Sequence, residues 1–321
     1  MEYDVVAIGE LLIDFTGNGV SAQGNPLFEA NPGGAPGNVL AMLAKLGKKT
    51  AFIGKVGDDM FGRMLKDIIE KAGINADSVQ MEESANTTLA FVQNSPDGDR
   101  EFSFFRKPGA DTLLSEADVR AGLIQNCRIF HFGSLSLTHQ PARAATQKAV
   151  ALARKSGALV SFDPNLRPLL WKEQEDARQQ ILWGCGQCDI LKIAEEELEF
   201  SSGIADIAEG AEWMRRKNPQ IKLLMVTKGK RGSEVFWQDV HAEKPTYLQV
   251  KAIDTTGAGD TFCGSCLHYV LEHGLDGLNK PLLEEMLLFS NAAASLVSAR
   301  KGAICSMPEP EEVRALAVAN P

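Results

Sequence analysis

The chain has 321 residues, 44% of them hydrophobic, enough for one large α/β domain and too apolar for a disordered protein. Its 33 basic and 42 acidic residues give a formal net charge of −9, which argues against nucleic-acid binding but leaves room for a local basic pocket. No run of about 18 apolar residues occurs, so no membrane span is expected.

The opening Met1-Glu2-Tyr3-Asp4 lacks the basic region of a signal peptide, and a cytoplasmic location is expected. Val5 to Gly9 is an apolar, β-branched run suited to a central parallel strand. Asp14 follows just beyond it. In open α/β sheets ligands bind past the carboxyl ends of strands, where a carboxylate can accept two hydroxyl hydrogen bonds. Asn31-Pro32-Gly33-Gly34-Ala35-Pro36-Gly37-Asn38 then opens a helix expected from Asn38 to Leu46. Its glycines permit close backbone approach, and Asn38 offers a donor and an acceptor to a neutral polyol.

Ala51 to Ile53 is a strand, and Asp58 to Ala72 a helix closed by Gly73. The strand–helix rhythm breaks at 87–107. Two β-rich runs, Thr88–Asn94 and Arg100–Arg106, flank a turn signal at Ser95–Asp99. With the glycine-dotted segment 11–30 they predict an antiparallel flap, a candidate lid. Further strands are expected at 128–132, 158–162, 190–193 and 223–226, separated by helices at 141–156, 171–184 and 207–217. This alternation predicts a doubly wound, mostly parallel sheet with helices on both faces. Asp163, Asn165 and Arg167 stand together past one strand end.

Asp254-Thr255-Thr256-Gly257-Ala258-Gly259-Asp260 feeds an apolar helix expected from Thr261 to about Val270. A bare loop at a helix start presents unsatisfied N–H groups and partial positive charge, an anion site. A carboxylate inside it suits a base aimed at the same centre. Together the motifs imply phosphoryl transfer to a hydroxyl, with backbone N–H groups holding the developing charge and Asp260 taking the proton. No P-loop signature and no dinucleotide-binding glycine fingerprint occurs, which disfavours a P-loop enzyme and a nicotinamide-dependent oxidoreductase. The six cysteines include two C-x-x-C pairs, far apart in sequence, which read as packed free thiols and not as zinc ligands.

These motifs resemble the ribokinase-like carbohydrate kinase family, most closely its fructokinase branch. The run Asp254–Asp260 matches the family's second signature in full, and Asn31–Asn38 looks like the fructokinase form of the first. The resemblance implies a single ribokinase-like domain over 1–321, with a small β-sheet lid from segments about 11–32 and 87–107. It implies that Asp260 is the catalytic base and that Gly257, Ala258 and Gly259 form the anion hole. Asp14, Gly33, Gly34 and Asn38 would hold the sugar, with Phe104 and Arg106 reaching it from the lid and Asp163 and Arg167 supporting the cleft. Lys192, Thr227, Gly229 and Gly232 would line the ATP phosphates and ribose, with Asn291 beside the adenine.

A monovalent-cation site, for potassium, would fall on Asp254 and Thr256, with backbone oxygens of Val297, Arg300 and Gly302 and a contribution from Ser306. The family's Asn-x-x-Glu motif, thought to organise Mg2+, is here Ala194 to Glu197, so magnesium placement would rest on Glu197 and water. Because the glycine loop carries Ala35 and Pro36 where a phosphosugar would want cations, the acceptor expected is neutral: D-fructose, phosphorylated at its 6-hydroxyl. Ribose and 2-keto-3-deoxygluconate are the alternative acceptors, and a catalytically silent sugar or nucleotide sensor is the alternative of another class. A homodimer through the edges of the flap is a further expectation.

Overall fold

The computed structural model describes residues 1–94 and 100–319. The chain begins with β1 (Tyr3–Ile8), β2 (Leu12–Val20), β3 (Pro26–Gly33), α1 (Ala35–Lys45), β4 (Thr50–Gly57), α2 (Met60–Lys71) and β5 (Ile74–Glu82). β6 (Leu89–Asn94) and β7 (Arg100–Phe105) follow, then α3 (Ala121–Gln125), β8 (Cys127–Gly133), α4 (Ala142–Ser156), β9 (Leu159–Asp163) and α5 (Gln174–Cys185). Next come β10 (Ile190–Ala194), α6 (Glu195–Ser202), α7 (Ile207–Lys217), β11 (Leu223–Thr227), β12 (Ser233–Trp237) and β13 (Val240–Lys244). The chain ends in α8 (Ala258–His273), α9 (Lys280–Ser298) and α10 (Pro310–Ala319).

Nine strands form the main sheet in the order β13-β12-β11-β10-β9-β8-β1-β4-β5. From β11 to β5 every pair is parallel, and only the β11–β12 and β12–β13 pairs are antiparallel. β1 shows why. Val5 and Ala7 face one core, which takes in α1, α8 and α9, while Val6 and Ile8 face another, which takes in α4, α5 and α7. All four are fully buried, so apolar residues are needed on both faces and the strand reads as an unbroken apolar run. This is the expected ribokinase-like, doubly wound α/β architecture.

A second sheet, ordered β3-β2-β6-β7, supplies the expected flap, with one change of topology. Its outer pairs are antiparallel but the central β2–β6 pair is parallel. The chain leaves the flap after β3 and returns through α1, β4, α2 and β5, a crossover that allows parallel pairing. The turn expected at Ser95–Asp99 lies outside the described residues. The flap carries one phenylalanine per strand on a shared face: Phe28, Phe15, Phe91 and Phe105, with centroid separations of 4.8 to 5.4 Å between neighbours. Phe28 and Phe105 are 44% and 63% exposed.

Candidate active site

Two glycine-opened helices meet at the carboxyl end of the main sheet. α1 starts at Ala35, earlier than the sequence suggests, because Pro36 in a first turn forfeits no helical hydrogen bond. Asn38 is therefore inside the helix and not its cap. Gly34 before it has φ +120°, and a Cβ there would meet the Glu10 carbonyl oxygen at 2.3 Å. α8 likewise begins at Ala258 and not at Thr261, behind Gly257 in the left-handed region at φ 76°. Asp260 thus occupies the first turn. Asn38 Nδ2 donates to Asp260 Oδ2 at 2.7 Å, joining residues 222 positions apart.

Asp260 is almost fully buried. Burial, reinforced by the nearby Asp163 charge, pushes its carboxyl up to about 6, against the opposing pull of Asn38, Lys192 and Arg167. Beneath the loop, Lys192 Nζ pairs with Asp163 Oδ2 at 3.0 Å, and both side chains are buried. Burial alone would lower the Lys192 ammonium. The Asp163, Glu197 and Asp260 carboxylates outweigh it and raise it above the ordinary lysine value. A Cβ on Gly259 would lie 3.0 Å from that ammonium, so the cation sits directly under the anion loop.

A cavity of about 280 Å³ opens over this centre. Asp14, Gly34, Asn38, Phe104, Arg167, Gly257, Gly259 and Asp260 all line it. Gly33 stands just behind: a Cβ there would strike Asp14 Oδ2 at 2.4 Å, so the glycine makes room for that carboxylate. Arg167 is fixed by Asn165, whose Oδ1 accepts from Nη1 at 2.8 Å. Asp163 is placed below the cavity by its pair with Lys192.

Arg106 is not brought to this cavity. Its Nε and Nη2 donate to Asp111 Oδ2 at 2.8 and 2.6 Å, Nη1 donates to Thr138, and Nη2 also reaches the Leu135 carbonyl. An arginine so engaged holds the flap's root, with four of its five N–H donors committed inside the protein. Arg106→Ala would strand buried Asp111, so it is expected to lower Tm, by about 3–5 kcal/mol of stability. Phe104→Ala, which removes part of the cavity wall and leaves the Arg106–Asp111 pair intact, is expected to raise the acceptor KM and to lower Tm less than Arg106→Ala does. Thermal denaturation and steady-state kinetics on the two variants check this division.

Glu10 was missed by the sequence reading. It lines the cavity, and its Oε1 accepts the Ala35 N–H at 2.9 Å. Burial pushes its carboxyl up to about 7. The rule that selected Asp14, a carboxylate past the end of the first strand, would have selected Glu10 too. Asn165, noted past the strand end with Asp163 and Arg167, lines the cavity too, as do Thr255 and Leu135, which had been given no role.

On the other side of the loop a second cavity, about 360 Å³, is lined by Gly229, Thr246, Tyr247, Thr255, Ala258 and Ser295, among others. Thr255 borders both cavities. Of the residues expected on this side, Gly229 is at the wall and Thr227 ends β11 just before it. Gly232 is a joint: φ is +93°, and a Cβ would meet the Lys244 carbonyl oxygen at 2.1 Å. Lys192 belongs instead to the buried centre below the loop. Asn291 is not at the wall either. Its Oδ1 accepts from Ser233 and its Nδ2 donates to the carbonyls of Lys244 and Pro245, so it staples α9 to the strand end that shapes the cavity.

Asp254 gathers the loop's start. Its Oδ1 accepts from the backbone and hydroxyl of Thr256, and its Oδ2 from the Gly302 N–H. The neighbouring backbone oxygens partly serve local bonds: Val297 O accepts from Arg300 N, and Ser306 donates its hydroxyl to Lys301 O. The donors at hand are all oxygens, a set that fits a hard cation. Glu197 accepts the Leu166 N–H at 2.6 Å and the Ala194 N–H at 2.9 Å, one on each oxygen. It therefore ties the ends of β9 and β10 together. Among the described residues no cluster of three or more His, Cys, Asp or Glu side chains forms a metal cage. All six cysteines are free thiols, as expected.

Comparison with known proteins follows the same lines. The model of the pfkB family of carbohydrate kinases matches residues 3–310. Fructokinase-1 of Oryza sativa subsp. japonica is 44% identical over 311 residues, covering 96% of each chain. A crystal structure of fructokinase with bound ATP from Xylella fastidiosa superposes with a TM-score of 0.90 at 30% identity, over 99% of both chains. Fructokinase from Vibrio cholerae O395 in its fructose-, ADP- and calcium-bound form gives 0.88 at 30% identity, over 99% of this chain and 100% of that one. With its family model spanning nearly the whole length and its two signature loops meeting at Asn38 and Asp260, the chain belongs to the pfkB family of carbohydrate kinases.

Proposed function

We propose that this kinase transfers the γ-phosphate of ATP to the 6-hydroxyl of D-fructose. One observation carries the reading: the loop from Thr255 to Asp260 stands between two cavities, with the Asp260 carboxyl facing one and Ala258 facing the other. A group held in the second cavity can hand its terminal phosphoryl across the loop to a hydroxyl in the first.

Asp14 and Asn38 orient the sugar hydroxyls, with Gly33 and Gly34 allowing close approach and Phe104 covering the ring. Asp260 accepts the hydroxyl proton as the new bond forms. Asn38 holds the carboxylate in line and favours its ionised form. The first-turn N–H groups of Gly257–Gly259 and the positive end of α8 receive the charge developing on the phosphoryl oxygens, with buried Lys192 beneath them. Asp163 keeps Lys192 in place, and Arg167 borders the acceptor. Thr227, Gly229 and Gly232 shape the ATP side, with Asn291 and Glu197 bracing it. When bound, Mg2+ neutralises phosphate charge; Glu197, through water, is the residue that would place it. A potassium ion on Asp254, Thr256 and the oxygens of Val297, Arg300, Gly302 and Ser306 would fix the loop's start.

The flap acts as a lid over the acceptor, with Phe104 as its contact. Its exposed phenylalanine face supports pairing with the flap of a second copy as a homodimer. A cytoplasmic location is proposed as well; no described helix is long and apolar enough to cross a membrane.

Fructose is favoured because the described lining of the acceptor cavity holds no lysine and several neutral or acidic groups, so a neutral polyol fits it better than a phosphosugar. The names of the relatives and the fructose-bound neighbour support the same choice. Arg167 in the wall is the one feature that favours 2-keto-3-deoxygluconate, whose carboxylate it could pair. A coupled assay of ATP consumption across fructose, ribose, adenosine, 2-keto-3-deoxygluconate and fructose 6-phosphate separates them. Fructose is expected to give the highest kcat/KM. A higher value for any other acceptor would replace the assignment.

A further inference from the structure

A third cavity, about 500 Å³, lies on the far side of Phe104 from the acceptor pocket. It has the opposite electrostatic character. Lys107, Lys172, Arg106 and His139 line it, and no carboxylate is among its described lining residues. Arg106 is neutralised by Asp111, but neither Lys107 nor Lys172 has an ion-pair partner among the described residues. Two unpaired ammonium groups at one opening are notable in a chain of net charge −9. Trp171 lines the same cavity, is 7% exposed, and its indole Nε1 donates to nothing among the described residues. That nitrogen is closed to solvent, so what the residue offers the cavity is its ring.

The wall is also apolar. Phe104, Leu169, Leu170 and the Trp171 ring offer surface on which the C–H face of a sugar can rest. Two unpaired cations that want an anion, beside an apolar and aromatic floor, describe a phosphate monoester on a small polyol. We propose that this cavity is a second ligand site, which binds a sugar phosphate with Lys107 and Lys172 on the phosphate and the apolar wall under the sugar. Because Phe104 is the wall common to both cavities, occupancy here is felt at the acceptor pocket as weaker sugar binding.

The site is tested by calorimetric titration of the intact protein, without nucleotide, so that binding is read independently of turnover and of the acceptor assignment. Glucose 6-phosphate, inorganic phosphate and glucose are the probes. Saturable binding of glucose 6-phosphate is expected, weaker binding of inorganic phosphate, and none of glucose. The double charge reversal Lys107→Glu, Lys172→Glu, at two exposed positions, is expected to weaken glucose 6-phosphate by about tenfold or more. Lys148→Glu on α4 should leave it unchanged. Equal affinity in the double variant, or no saturable binding to the wild type, would overturn the site. Phosphate as tight as glucose 6-phosphate, or equally tight glucose, would overturn the ligand class. In the kinase assay, glucose 6-phosphate should raise the acceptor KM of the wild type and not of the double variant; an unchanged wild-type KM would overturn the coupling.

Discussion

Asp260→Asn is expected to lower kcat by about 10³-fold or more, with ATP and sugar binding retained. The side chain keeps its shape and its place beside Asn38 but can no longer accept a proton. Stability should move the other way. The wild-type carboxyl titrates at about 6 in the folded chain against 3.8 in its unperturbed state. The folded form therefore holds the proton more tightly, and the wild type is favoured below pH 3.8 and loses that stabilisation as pH rises through 6. A shift of this size corresponds to an order of about 3 kcal/mol at pH 8. The amide carries no charge to bury, so Tm of the variant at pH 8 should be no lower than that of the wild type, and the wild type should gain on it as pH falls. A variant that lost activity through unfolding would show the reverse.

Lys192→Met is expected to be the most damaging single change to the fold near the site. It removes the lysine paired with Asp163 while leaving that carboxylate 2% exposed. An unpaired buried charge of this kind costs about 3–5 kcal/mol. Activity should fall as well, because Asp260 loses a cation that helps hold it ionised, and its titration should move to higher pH. Asp163→Asn combined with Lys192→Met removes both charges, so it should recover part of the lost Tm but not the turnover. Denaturant unfolding of the two variants measures the difference. A double variant no more stable than the single one would show that the pair is not what the mutation disrupts.

The sequence made the architecture readable where burial is two-sided. β1, β8, β9, β10 and β11 are apolar on both faces, so their runs stand out without any periodicity argument. β5 was not seen, because Asn75, Asp77 and Gln80 interrupt it at the sheet's edge, where one side needs no cover. β12 and β13 were passed over for a similar reason, at the opposite edge. In the site, glycine loops and strand-end carboxylates were legible because backbone approach and charge placement restrict residue type. Arg106 and Asn291 misled because a long polar side chain does not announce whether it faces a ligand or a buried partner. Both found partners inside the protein: Asp111 for the arginine, and Ser233, Lys244 and Pro245 for the amide. Lys192, expected beside the phosphates, lies buried below the loop, a depth that sequence alone does not give for a strand residue.

The central claim is that buried Asp260 is the base for transfer to the sugar, and the pH dependence of kcat/KM for fructose tests it most directly. The acid limb should follow ionisation of one group near pH 6, with activity lost as pH falls through that value. Asn38→Ala removes the hydrogen bond that favours the ionised form, so its limb should lie at higher pH. A profile that stays flat through pH 6, or a limb that Asn38→Ala leaves in place, would contradict the assignment.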